Sequence, residues 1–469
     1  MKNHWICLFI VFGLLHASCQ QPKEEKEFDP WDGLQSVLDQ IVAPEFEDRE
    51  FLIGDFGAKE GGEFLNTEAI KNAIKACNEA GGGKVIVPKG TYLTGAVHLL
   101  SNVNLHLEEG ATLLFSDNPE DYLPLVHSRW EGMELMNYSP FIYANGQENI
   151  GLTGKGVLDG NSRIENWWYW CGARHYGWEE GKGTQTPARK LLHQMVADRV
   201  PLDERIFGEG HFLRPQFVQF YECKNILIQD ITLLNSPMWN IHPILSENIT
   251  VERVRVETLG PNNDGCNPEA CKNVLIKDCY FDTGDDCIAI KSGRNEDGRD
   301  PGVASENIVI EGCTMKEGHG GVVIGSEISG GAKNIFAQNL VMSSPNLDRV
   351  LRIKTSSKRG GTVENVYMRN VKVGTYKEAA VRFNMFYEEE GDHIPTIKNI
   401  YVDNLEVEDG GKYAVMINAY ESSPVENFVM TNTTINGVDQ HFKTNHFKDV
   451  TFKNVKINGE ISEGLVKTE

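Results

Sequence analysis

The chain carries no apolar run long enough to cross a membrane as a helix: the longest, Trp5 to Leu15, falls short of the ~20 residues a span requires. No two cysteines stand at the CxxC spacing of a zinc site, so no metal site and no cofactor are expected. Positive charge is also scarce. Lysine and arginine number 45 against 67 aspartates and glutamates, a net charge of −22. That excludes the broad basic face a nucleic acid partner needs. Low-complexity sequence is absent beyond the first thirty or so residues. What remains is the composition of a folded protein, 40% hydrophobic and 24% charged, in a chain of 469 residues that has room for one large domain or two ordinary ones. Its 46 glycines suit a turn-rich β architecture better than a helical one.

The amino terminus reads as a targeting signal over residues 1–19. Lys2 precedes the apolar run, and Ala17, Ser18 and Cys19 follow it, the order of a charged region, a hydrophobic region and a cleavage site. Cys19 in this setting resembles the lipidated cysteine of a bacterial lipoprotein, although His16 stands where such signals usually carry leucine. A simple cleaved secretory signal is the alternative. Residues 20–48 read as a tether or extension, polar from Gln20 to Glu27, ahead of a single domain over 49–469. The expectation is an exported monomer, secreted or held at the cell envelope (periplasm or outer membrane) by a lipid on Cys19. Eight later cysteines, Cys77 to Cys313, several among valines and isoleucines, are expected to be small buried hydrophobes.

From about residue 100 one phrase recurs: asparagine, then isoleucine or valine, then alternating apolar and polar residues. It starts at Asn225, Asn248, Asn273, Asn307, Asn334, Asn365 and Asn399, with weaker copies at Asn102, Asn149, Asn427 and Asp449. The spacing, roughly 22 to 34 residues, marks a stacked repeat. The alternation, as in Ile226 to Leu233, marks strands rather than helices. A propeller blade is longer, and a leucine-rich repeat shows leucines at fixed offsets. The fold class is therefore all-β, a single-stranded right-handed parallel β-helix. The recurrent asparagine fits a turn where its amide bonds backbone or the asparagine of the next coil. Asn66 to Cys77, with Asn66 or Thr67 as N-cap and Ala69, Ile70, Ala73 and Ile74 on one face, predicts an amphipathic helix capping the first coil.

In a solenoid, residues at matching places in successive coils form a column. Asp285 stands 12 residues past Asn273, and His319 stands 12 past Asn307. Asp264 and Arg352 stand 16 and 18 past Asn248 and Asn334, so short insertions are assumed there. Four consecutive coils then bring four clusters near one corner: Asn262-Asn263-Asp264-Gly265, Gly284-Asp285-Asp286, Gly318-His319-Gly320 and Arg352-Ile353-Lys354. Alone, each is more often a turn or a strand face than a site. Together they crowd three carboxylates, which raises at least one pKa and retains a proton near neutrality. One protonated and one ionised carboxyl are what glycoside hydrolysis requires. A cationic pair beside them can grip a sugar carboxylate, Arg352 in bidentate fashion.

In order and spacing these clusters resemble the signature of glycoside hydrolase family 28, the polygalacturonases, with Asn263 where the family carries threonine; Gly260 to Gly293 and Gly318 to Ser329 look especially like bacterial members. The resemblance covers residue 50 to the end. It implies an inverting hydrolysis of α-linked galacturonate bonds in pectin, an anionic polysaccharide substrate. Asp285 would be the general acid, Asp264 and Asp286 would activate water, and His319 would tune the acid or bind substrate. Arg352 and Lys354, with Asn262 and Lys291 from the matching segments, would bind the sugar. Coils about 4.8 Å apart put carboxyls closer than the ~6.5–9.5 Å usual for inverting enzymes, so inversion rests on the resemblance alone.

Residues 161–212 break the repeat and hold Trp167, Trp168, Trp170 and Trp178. They read either as a loop packed onto the solenoid wall or as a rim over the active site. Placed before the catalytic coils, and joined by the loops Arg294–Ala304 and Phe386–Pro395, the insertion predicts a groove closed at one end and hence exo-action. A hydrolase of rhamnogalacturonan or xylogalacturonan is the near alternative. A β-eliminating lyase suits the carboxylate trio poorly, and a non-catalytic binding protein would not need it.

Overall fold

The computed structural model describes residues 1–2 and 29–468, so the signal segment, Cys19 and most of the polar tether lie outside the described residues. The repeats form a parallel β-helix with three strand columns per coil. Two columns merge into one extended sheet, because in the later coils single strands such as Thr362–Thr375 and Thr396–Asp409 run through both. The third column, called sheet III here, contains Val97–His98, Ile142–Asn145, Val218–Tyr221 and Ile241–Ile244. It continues through Ile288–Ile290, Val322–Gly325, Arg349–Lys354, Ala379–Asn384, Tyr413–Asn418 and Gln440–Thr444. Isolated bridges from Cys266 and Glu269 to both neighbours close the gap between these two groups.

The repeat phrase explains the stacking. Every asparagine that opens a copy has positive φ, from +51° at Asn427 to +64° at Asn102, a conformation asparagine tolerates better than most residues. Its amide donates to the asparagine one coil below: Asn149 to Asn102, Asn225 to Asn149, Asn334 to Asn307, Asn399 to Asn365. The residue after it faces inward, so Ile226, Ile249, Val274, Ile308 and Ile335 pair in register as a fully buried column. Truncating one of these to alanine costs about 2–5 kcal/mol. A second asparagine ladder, Asn370 on Asn339 and Asn404 on Asn370, was not read from the sequence. Seven of the eight described cysteines are buried, and Cys171 is half-buried.

The capping helix is Thr67–Glu79, and Ala69, Ile70, Ala73, Ile74 and Cys77 are its buried face. The expected capping bond is not made. The Asn66 side chain instead accepts from Lys59 N and donates to the carbonyls of Lys59, Phe64 and Leu93, tying the preceding loop to the first coils. Residues 29–48 do not trail away as a tether. Leu34 and Val37 pack on Val309, Phe336 and Tyr367, and Val42 exchanges two hydrogen bonds with the Asn248 amide where the first ladder is interrupted.

The insertion does both things weighed for it. Trp167 and Trp170 join the main core against Tyr122, Phe141 and Tyr138. Its helix Thr186–Ala197 stands over sheet III beside an unforeseen hairpin, Val126–Trp130 and Met133–Asn137.

Candidate active site

Four coils of sheet III carry the expected residues, and the register refines how they meet. Asp285 and His319 each stand three residues before the paired Ile288 and Val322, so they do form a column. Asp264 stacks on Asp286 instead, each two residues before the bridged pair Cys266 and Ile288. Arg352 and Lys354 lie further along their strand, opposite Val323 and Gly325. They reach the carboxylates by side-chain length rather than by sharing a corner.

The contacts sort the three acids. His319 Nδ1 and Asp285 Oδ1 are 3.0 Å apart, with the imidazole half-exposed. Lys354 Nζ donates to Asp286 Oδ2 at 2.7 Å and Arg352 Nη1 to Oδ1 at 3.4 Å, all three groups being buried. Asp264 accepts from Asn267 Nδ2 at 2.7 Å and has Lys291 Nζ at 3.6 Å. One oxygen from each acid lies within 4.8 Å of the other two, closer than the inverting spacing, as the coil rise requires. The charge of this trio faces His319, Lys291, Arg352 and Lys354, so side chains provide the balancing positive charge.

Burial and the neighbouring charges of Asp285 and Asp286 push the Asp264 carboxyl well above the usual range, against the pull of Lys291. Burial also acts to raise Asp285, but the hydrogen bond and charge of His319, with Lys354 and Lys291, hold it below the usual range. The same bond raises His319 to about 9. Burial therefore favours the protonated form of Asp264, while the Asp285–His319 contact favours an imidazolium paired with a carboxylate.

Asn262 keeps its place on the cleft wall at φ +54°, its Oδ1 accepting from the buried Arg214. Asn263, the departure from the family pattern, turns away from the acids. Its amide accepts from Gly260 N and donates to Ser236 O and Met238 O, so it clamps the loop beneath Asp264. Lys291 lines the cleft, yet its ammonium is held by Glu327 at 2.9 Å and lies 4.3 Å over the Trp239 ring. Its contacts are those of a group that positions Asp264.

The cleft, about 700 Å³, is also lined by residues outside the four clusters, among them Glu131, Arg189 and Glu388. At the hairpin tip, Glu131 Oε2 accepts from Arg189 Nε of the insertion helix at 2.8 Å and from Arg294 Nη1 at 2.9 Å. Arg294 and Arg359 both bond Glu388, from the loop after Ala379–Asn384. Just below its tip the hairpin is pinned to sheet III by Arg129, which joins Glu269 and Glu134, while His242 bonds Glu269 at 2.8 Å. Hairpin and insertion thus cross sheet III from the flank before its strands to the flank after them. The clasp is fastened to the loops that follow the strands Ile288–Ile290 and Ala379–Asn384, so it closes that flank of the cleft. The insertion and the loops at 294–304 and 386–395 were the sequence cues to a closed groove; the bonds among residues 131, 189, 294 and 388, and the part of the hairpin, emerge only from the structure.

A parallel β-helix presenting a carboxylate trio, an imidazole and a cationic pair in one cleft defines a glycoside hydrolase. The chain belongs to glycosyl hydrolases family 28, whose sequence model matches residues 209–456. It is similar to the crystal structure of a hyperthermoactive exopolygalacturonase from Thermotoga maritima, 44% identical with TM-score 0.89, covering 92% of this chain and 96% of that one. It is 26% identical to an exo-poly-alpha-D-galacturonosidase of Dickeya chrysanthemi, over 86% of this chain and 71% of that protein. A probable polygalacturonase of Vitis vinifera is 29% identical over 81% of this chain and 73% of its own length.

Proposed function

We propose that the protein hydrolyses α-1,4-galacturonosidic bonds of galacturonan with inversion, releasing galacturonic acid or a short oligomer from a chain end. The observation that carries this reading is the clasp of Arg189, Glu131, Arg294 and Glu388 across one flank of the cleft that also holds Arg352 and Lys354. A long polymer cannot thread a groove crossed by bonded elements, whereas a chain end can enter it. The similarity to two proteins named as exo-acting supports the same choice.

In this reading Arg352 and Lys354 take the galacturonate carboxylate beyond the scissile bond. The Asp285–His319 pair donates its proton to the glycosidic oxygen as the C1–O bond breaks. Water held by Asp286 and Asp264 attacks C1 from the opposite face and gives its proton to a carboxylate. The protein acts outside the cytoplasm, carried there by the amino-terminal signal and held by a lipid on Cys19. Labelling with a lipid precursor tests the anchor, and an unlabelled protein removes it.

Reducing-end release against viscosity on polygalacturonic acid tests the function. A slow fall in viscosity with galacturonic acid as the early product supports exo-action. A steep early fall with a ladder of oligomers overturns it, and an ultraviolet-absorbing unsaturated product overturns hydrolysis itself.

A further inference from the structure

Lys291 stands between two buried carboxylates and meets them unequally. Its ammonium is 2.9 Å from Glu327 Oε2 and 3.6 Å from Asp264 Oδ2. The stacking of two coils fixes the closer contact. Lys291 follows Ile290, and Glu327 stands three residues past Ile324, the partner of Ile290 in register. Ser292 N donates to the Glu327 carbonyl at 2.6 Å, and Ser326 Oγ donates to Glu327 Oε1 at 3.1 Å, so the carboxylate is held from both ends. Arg294 Nη1 lies 3.6 Å from Oε1 and is itself bonded by Glu131 and Glu388. Glu269, the acid in register with Lys291 on the preceding coil, is taken by Arg129 at 3.0 Å and His242 at 2.8 Å. The ammonium is thereby drawn towards Glu327.

The two acids assigned to the water consequently differ. Asp286 is bonded by the Lys354 ammonium at 2.7 Å, whereas Asp264 is bonded at 2.7 Å by the neutral amide of Asn267 and stands 3.6 Å from Lys291. A carboxylate engaged by a cation is the weaker base; one outside that bond takes a proton more readily. We infer that Glu327 is a positioning residue for the hydrolysis: it holds the Lys291 ammonium away from Asp264, so that Asp264 is the carboxylate that accepts the proton of the attacking water. This rests on the proposed use of Asp264 and Asp286 to hold that water. The charges agree with the geometry. Burial acts to raise Glu327, but Lys291, Arg294, Arg359 and Lys354 keep it well below the usual range, so it is ionised and able to hold the ammonium. Burial raises Asp264, and Asp285 and Asp286 add to this against Lys291 and Lys354. With Glu327 neutral, the ammonium would close the remaining gap to Asp264 and pair with it.

The test is the pH profile of kcat/KM on polygalacturonic acid, whose acid limb reports ionisation of Asp264. If the ion pair only supported the fold, removing either partner would lower activity and Tm without moving that limb. Here the two removals should move it in opposite directions. Glu327→Gln lets the ammonium pair with Asp264 and shifts the limb to lower pH by about 1 unit or more; Lys291→Met strips Asp264 of that charge and shifts it to higher pH. Limbs that stay in place, or that move the same way, overturn the inference. Lys291→Met/Glu327→Gln removes both charges of the pair and carries the test if Glu327→Gln does not fold. Its limb should lie above that of the wild type; one below would mean that Glu327 acts without Lys291, and overturns the inference. A wild type with no acid limb above the ordinary carboxylate value of ~3.9 removes Asp264 from the role of base. The hold on Lys291 is then read from Tm. Asp264→Asn should raise it at pH 7 in the wild type but not in the Glu327→Gln background, and an equal rise in both removes the role of Glu327.

Discussion

Lys354 reaches across an intervening coil to donate to Asp286 Oδ2 at 2.7 Å, and the residue in register with Asp286 on that coil is Gly320. A Cβ at Gly320 would stand 2.4 Å from Val323 Cγ2 and 3.3 Å from Asp286 Oδ1. The glycine of the Gly-His-Gly cluster thus keeps open the space through which the cationic pair meets the buried carboxylate. This relationship bears on what each side chain does when replaced.

Asp285→Asn keeps the shape of the acid but cannot hold a transferable proton. Turnover of galacturonan should fall about 10²-fold or more while the melting transition stays near wild type. A kcat above a tenth of wild type removes Asp285 from the acid role.

Arg352→Ala or Lys354→Ala should weaken turnover of galacturonan by about 1.5–3 kcal/mol each, and that of a methyl-esterified analogue far less. Lys354→Ala should also lower Tm, because it strips Asp286 of its closest buried counter-charge. Equal losses on charged and neutral substrates would point to a folding defect alone.

The raised His319 pKa, about 9, sets an alkaline limit. Below it the imidazolium and Asp285 hold one proton between them; above it that proton is lost. kcat/KM should fall with single-proton slope as pH passes about 9, and His319→Asn should abolish that limb. A wild-type profile flat to pH 10 would contradict the shared-proton reading.

Asp264→Asn should be inactive yet more stable at neutral pH. Below the ordinary carboxylate value of ~3.9 the folded and unfolded chains both keep this proton. Above it the unfolded chain ionises while the folded one resists, so stability falls as pH rises towards the raised value. The amide removes that cost, and Tm should rise by about 1–3 °C at pH 7 with no gain at pH 3. A Tm lower than wild type at pH 7 refutes this account.

Glu131→Ala cuts the clasp at its centre and leaves Arg189 and Arg294 facing each other. Products should shift from monomer towards longer oligomers, with viscosity falling earlier for equal bond cleavage. Tm should also drop, as about 3–5 kcal/mol is typical when one partner of a buried pair is removed. An unchanged product spectrum would mean that the clasp does not define the chain end.

The solenoid was legible because its signal is local and periodic. Each asparagine sits at a turn that only a few residues tolerate, and each strand repeats an inward isoleucine or valine, so one coil announces the next. The column of Asp285 and His319 followed directly from that count. Asp264 pairing with Asp286, and the reach of Lys354 past Gly320, did not, because insertions of a few residues hide which positions face each other until the strands are in register. Asn66 is the N-cap residue, as the sequence offered, but its side-chain partners were not legible: those at Lys59 and Leu93 belong to a loop and a strand that meet only on folding. The aperiodic insertion pointed to a closed groove, but the bonds that close it were decided by tertiary structure. Residues 131, 189, 294 and 388 come from four aperiodic segments, and packing against a finished wall brings their charges into contact. Sequence by itself determined the coil, the carboxylates and the cations they need; folding determined which charged residues clasp across the groove, because only there do distant loops close over the sheet.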